Sequence, residues 1–232
     1  MSVLRAAAVL AAIAVGAALL VPRTVAIARA AGTVPHRGML VTVHPLGTLT
    51  ADQVRTALTG AGFDTGSVRY DVDAYRLVYR TADTRNRPVT ASGLFVLPRS
   101  GERRLHTVSL ARGTAIHRAD MPAEGWDRGP ALGYAAAGFA AVTPDHPGTN
   151  APAETTASLD MLRAARDHAL RSGRQLDRQV FVTGLSQGAT AAQGLARVLR
   201  DGADPWFRLR AVVLESDRPT GSDIVRQFAT LS

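Results

Sequence analysis

Apolar positions along the chain fall into short runs divided by turn-forming residues, and the spacing inside each run sets the element it predicts. Thr50 and Gln53 stand three apart ahead of Val54, Ala57 and Leu58. That is a capping-box start for a short helix, which Gly60 stops. From Val68 to Arg80 the pattern alternates, with Tyr75, Leu77 and Tyr79 on one face, so a strand is expected. The turn-rich stretch Asp83 to Pro88 separates it from a second strand, Val89 to Leu97, and the two read as an antiparallel hairpin. Leu105 to Leu110 is a third strand, and Phe139 to Thr143 a fourth, ended by Pro144-Asp145. A helix is expected over about 153–171, closed by Gly173. Val180 to Thr183 is a short β-branched and apolar run, the mark of a buried parallel strand. Ala189, Ala192, Leu195, Ala196 and Leu199 then follow at helical spacing up to Gly202. Leu209 to Leu214 is a sixth strand, and the tail Asp217 to Ser232 is a candidate start of another helix.

After the hairpin, strands alternate with helices at short spacing. The fold class is therefore α/β, a mostly parallel sheet covered by helices on both faces. Residues 1–31 stand apart from it. Arg5 is followed by an apolar run from Ala6 to Val21 that Pro22 ends. This run is short for a membrane span of about 20 residues, and small-residue cleavage patterns follow at Ala26-Ile27-Ala28 and Ala28-Arg29-Ala30. The segment reads as an export signal, with an uncleaved N-terminal anchor as the alternative. The expected location is secreted, with membrane contact only through that segment if it is retained. Residues 32–47 are rich in Gly, Pro and His and read as a linker, which leaves 48–232 as the folded domain.

Composition removes several function classes. The 232 residues include no cysteine, so there is no disulfide framework and no thiolate site. The formal net charge is +8, carried on dispersed Arg residues without a basic run interleaved with aromatics. A solvated basic surface accounts for that better than nucleic-acid binding does. No His, Asp or Glu cluster has metal-ligand spacing and no Gly-rich phosphate loop is present, so neither metal nor cofactor is expected.

The candidate chemistry lies between the last long strand and the helix after it. Gly184-Leu185-Ser186-Gln187-Gly188 is a G-x-S-x-G pentapeptide set in a strand–turn–helix context. In such a nucleophile elbow a sharp turn lifts the serine above the carboxyl end of the sheet. Flanking glycines remove Cβ clashes that would block the turn. The helix N-terminus then points N–H groups at negative charge developing beside the serine. Ser186 is the candidate nucleophile; the alternative for the same residues is a plain strand–turn–helix.

With the elbow on this strand order, the sequence resembles the α/β-hydrolase superfamily, and more narrowly the secreted lipases and esterases of actinobacteria. The residues carrying the resemblance are 75–81 (Tyr75 to Thr81), 91–98 (Ala91 to Pro98), Gly113-Thr114, 138–145 (Gly138 to Asp145) and Gly184 to Gly188. The resemblance implies a small-molecule or lipid ester as substrate and an acyl-enzyme intermediate. It also implies an oxyanion hole from the backbone N–H of Gln187 and one from the loop at Gly113 or Thr114. Where those lipases usually show His-Gly, this chain has Arg112-Gly113. Related acyl hydrolases and acyl transferases share the elbow and stay open as alternatives.

A serine hydroxyl needs a base within hydrogen-bond reach, itself oriented by a carboxylate. In the superfamily the acid and then the histidine follow the serine. The six histidines here, His36, His44, His106, His117, His146 and His168, all precede Ser186. His117 and His146 fall in loops on the carboxyl-end side of the sheet, but loop packing is the default role for both. Asp217 is the in-chain candidate for the acid, and no histidine base is found. The sequence thus reads as the N-terminal portion of a longer hydrolase, with Leu209 to Leu214 left as an apolar edge strand. A non-catalytic remnant of the fold is the competing expectation.

Overall fold

The computed structural model describes residues 36–111, 123–145, 151–185 and 188–215. Its elements run β1 (Leu40–Leu49), α1 (Ala51–Gly60), β2 (Val72–Ala82), β3 (Pro88–Pro98), β4 (Arg104–Ala111), α2 (Ala123–Ala136), β5 (Ala140–Pro144), α3 (Ala151–Arg171), β6 (Gln175–Leu185), α4 (Gly188–Arg200) and β7 (Arg208–Glu215). The strands form one sheet in the order β1-β2-β3-β5-β4-β6-β7.

The hairpin is β2 and β3, paired without a register break from Val72 opposite Pro98 to Ala82 opposite Pro88. Thr50 caps α1 as its spacing predicts. Its side chain accepts from Gln53 N at 3.2 Å, and the Gln53 side chain accepts from Thr50 N at 2.8 Å. The long helix begins at Ala151, two residues ahead of expectation, and ends at Arg171; Gly173 beyond it takes a left-handed φ of 73°.

The sheet is mixed rather than mostly parallel. β1, β2, β3 and β5 pair antiparallel in succession, and β5, β4, β6 and β7 pair parallel. One cause is β1, which occupies the second half of the stretch that reads as a linker from sequence. From Leu40 onward that segment is a strand on β2, with register shifts at Leu40/Thr42 and Pro45/Gly47. An edge strand tolerates Pro45, which has no N–H to donate, and the ladder shifts register just after it.

Helices cover both faces. α1 and α2 lie over a core that includes Val54, Leu58, Val96, Val108 and Ala135. α3 and α4 lie over the other core, with Leu77, Phe95, Val142, Leu162, Val182 and Leu195. Gly129 lets α2 approach α1, because a Cβ there would come within 2.7 Å of the Phe63 ring.

A chain of ion pairs runs over the second core. The fully buried Asp160 accepts from Arg37 Nε at 3.0 Å, from Thr81 Oγ1 at 2.8 Å and from an Arg163 terminal nitrogen at 3.0 Å. Arg163 Nε also donates to Asp204 at 2.7 Å. The network ties the residue ahead of β1 to α3, to β2 and to the turn before β7. The expected signal segment and the tail from 216 onward lie outside the described residues, as does Asp217.

Candidate active site

The carboxyl ends of β4, β5 and β6 lie side by side. Ser109 is the register partner of both Val142 and Val182, and Ala111 pairs with Gly184. Gly113 is therefore two residues beyond one member of that last pair, and Ser186 two beyond the other. Adjacent strands are about 4.8 Å apart. β4 and β6 thus end as neighbours in the sheet.

Only two residues separate β6 from α4, whose bounds are Leu185 and Gly188. The helix folds back tightly on its own strand. A Cβ on Gly184 would meet Ala192 Cβ at 2.7 Å and would run into the Gly188 carbonyl oxygen. Val180 and Val182 are fully buried on the β6 side. On the α4 side Ala191, Ala192, Leu195 and Leu199 are buried too. The strand and helix that the pentapeptide needs are both present, and glycine at 184 is sterically required. Ser186 and Gln187 themselves fall outside the described residues, as do Gly113, Thr114 and the sequence candidate Asp217.

One polar cluster at this end of the sheet has no local signal in the sequence. Asp145, which from sequence only ends the fourth strand, caps β5. Its carboxylate accepts from Ser92 Oγ at 2.6 Å and from a terminal nitrogen of Arg76 at 2.8 Å. Its backbone N–H donates to Ser92 O at 2.8 Å. Nearby on the α3 face, burial pushes the Tyr79 phenol well above its ordinary pKa, with the charges of Asp160 and Asp145 adding to the shift. Tyr79 is thus a neutral phenol through the physiological range. The only signal that could have found the cluster is long-range pairing of β2, β3 and β5.

The described histidines are placed away from the elbow. His106 lies five residues before the end of β4, toward its amino end, with Nδ1 3.3 Å from an Asp177 carboxylate oxygen. His168 is wedged between α3 and the sheet, its ring centroid 4.5 Å from that of Tyr75 and 6.0 Å from that of Phe95. Burial lowers its pKa, Arg171 lowers it further and Asp167 opposes them. His44 is on the edge strand β1 and His36 is exposed. His117 and His146 lie outside the described residues. Among the described residues no group of three or more His, Asp or Glu side chains could hold a metal ion. No helix among them is long and apolar enough to cross a membrane.

Solved structures that this chain resembles include a hydrolase, an esterase and a lipase. A protein from Legionella pneumophila described as a hydrolase superposes with a TM-score of 0.66 at 24% identity, covering 75% of this chain and 51% of its own. The rice cell wall degrading esterase LipA from Xanthomonas oryzae gives 0.62 at 26% identity, covering 77% and 50%. Candida antarctica lipase A gives 0.52 at 19% identity, covering 77% and 42%. The chain has an α/β-hydrolase-like esterase/lipase fold. It spans about half the length of these structures or less. No protein-family model and no curated protein sequence matches it. Within this α/β-hydrolase-like fold, the end of β6, the start of α4 and the end of β4 come together.

Proposed function

We propose that the chain carries the nucleophile half of a secreted serine carboxylic-ester hydrolase. The observation that carries this reading is the β6–α4 junction. A two-residue connection bearing Ser186, closed by helix–strand contact at Gly184, stands beside the end of β4. Ser186 Oγ attacks the acyl carbonyl of a small-molecule or lipid ester. The tetrahedral oxyanion is held by the Gln187 N–H, at the start of α4, and by an N–H from the loop at Gly113 or Thr114. A general base carries the Ser186 proton to the departing alcohol, and water hydrolyses the acyl-enzyme that remains. Backbone donors make the Arg112-Gly113 sequence compatible with this role. Export rests on the character of residues 1–31 alone.

A second reading, a hydrolase fold without turnover, is favoured by one observation: Arg112-Gly113 stands where the secreted lipases usually show His-Gly. A fluorophosphonate probe separates the two, because covalent labelling needs an activated serine. Labelling that is lost in Ser186→Ala, with hydrolysis of short p-nitrophenyl esters, supports the enzyme. A folded chain that is neither labelled nor active supports the second reading.

A further inference from the structure

The ladder between β4 and β5 stops before either strand does. Its last pair is Ser109 with Val142, yet β4 runs on to Ala111 and β5 to Pro144. On its other side β4 stays paired with β6 as far as Ala111 and Gly184. The end of β5 stays with β3 instead, Thr143 opposite Leu94 and Pro144 opposite Gly93. These two strands lie so close that a Cβ on Gly93 would come within 2.7 Å of the Thr143 carbonyl oxygen.

Two adjacent residues account for the early stop. The Asp145 N–H points to β3, where it donates to Ser92 O at 2.8 Å. Successive residues of a strand turn their backbone groups to opposite neighbours. Pro144 is therefore the residue that faces β4, and proline has no N–H to give. Asp145 then fastens the strand end to the β2–β3 hairpin. Its Oδ2 accepts from Ser92 Oγ at 2.6 Å and from a terminal nitrogen of Arg76 at 2.8 Å. Pro144 ends the ladder, and Asp145 holds the end of β5 on the side away from β4.

A backbone N–H can stabilise an oxyanion only where no ladder bond already takes it. We propose, on the serine-hydrolase reading above, that Pro144 and Asp145 are positioning residues for the oxyanion side of the site. By stopping the β4–β5 ladder they leave the backbone beyond Ala111 to serve the ester rather than a strand. Neither residue touches substrate or nucleophile; both act through where β5 lets go of β4.

Pro144→Ala, made in the full chain, restores an N–H facing β4. Hydrogen exchange is expected to show the new amide at position 144 protected, as part of a lengthened ladder. Hydrolysis of a short p-nitrophenyl ester is expected to lose about tenfold or more in kcat with KM close to the parent value, because oxyanion bonds strengthen in the transition state. A purely structural proline would show no such split. Asp145→Ala, which unfastens the strand end, is expected to lower kcat in the same way, and Asp145→Asn, which still accepts from Ser92, to lower it less. Free exchange of the amide at position 144, an unchanged kcat in Pro144→Ala, or a loss carried by KM overturns the role and leaves the hydrolase reading standing. A parent chain that is neither active nor labelled by the fluorophosphonate overturns both.

Discussion

Ala111 and Gly184 are direct partners on adjacent parallel strands, each two residues short of a group that the proposed chemistry needs. The pairing fixes the lateral spacing of the ends of β4 and β6, from which the proposed oxyanion loop and nucleophile extend, by backbone hydrogen bonds rather than by side-chain packing. Geometry held this way is insensitive to surface substitution and sensitive to anything that shifts β6.

Gly184→Ala tests that sensitivity. The new methyl group meets the Gly188 carbonyl and Ala192, so α4 must move or β6 must shift. Overpacking of this kind costs about 1–3 kcal/mol. Urea denaturation should show a loss in that range, and fluorophosphonate labelling of Ser186 should fall by more than the unfolded fraction explains. Unchanged labelling and stability would show that the elbow is looser than the contacts require.

Asp160→Ala should be far more damaging than its distance from the elbow suggests. It leaves Arg37, Arg163 and Thr81 without their shared acceptor. Breaking such a set costs about 3 kcal/mol, with both arginines partly hydrated in compensation. The loss should appear in the urea midpoint, and Asp160→Asn should recover part of it.

Acid should weaken the fold through His168. Burial, then Arg171, depress its pKa in the folded chain, against the pull of Asp167. The unfolded chain takes up the proton near pH 6.5 while the folded chain does not. Stability is therefore intact above that value and falls as pH drops from it toward the folded pKa. Asp204 acts lower on the scale. Burial pushes its carboxyl up, but hydrogen bonds from Phe207, Arg163 and Trp206 outweigh this and hold it below its ordinary value. Its contribution is lost as pH falls through that depressed value. Urea midpoints at pH 7.5 and 5.5 should differ, and His168→Phe should shrink the difference. An equal difference in the variant would clear His168 of the role.

Thr50→Ala removes one half of the capping box on α1 and should cost about 1 kcal/mol. Hydrogen exchange at the first turn of α1 should rise, with β4 and β6 amides unaffected.

Local rules made much of this fold readable. The capping box, the β2–β3 hairpin, α3 and the strand–turn–helix at the elbow each carry their signal within a few residues. β1 hid because an edge strand with most positions exposed shows no alternation, and Pro45 and Gly47 look like linker residues. α2 hid because Gly129 and Gly133, which lie against Phe63 and Leu58, and Pro130 within the helix all weaken helix propensity. The pentapeptide was legible as a motif. The partners of Asp145 were not, because Ser92 and Arg76 are 53 and 69 residues away in sequence and meet it only once the strands are ordered.

Arg37 is the point at which the folded domain would bear mechanical load. It lies three residues ahead of β1 and is clamped to α3 through Asp160. A pull on the chain from its amino-terminal side reaches this clamp before it reaches the β1–β2 ladder. Tension then passes into a helix packed over the core, instead of unzipping an edge strand one hydrogen bond at a time.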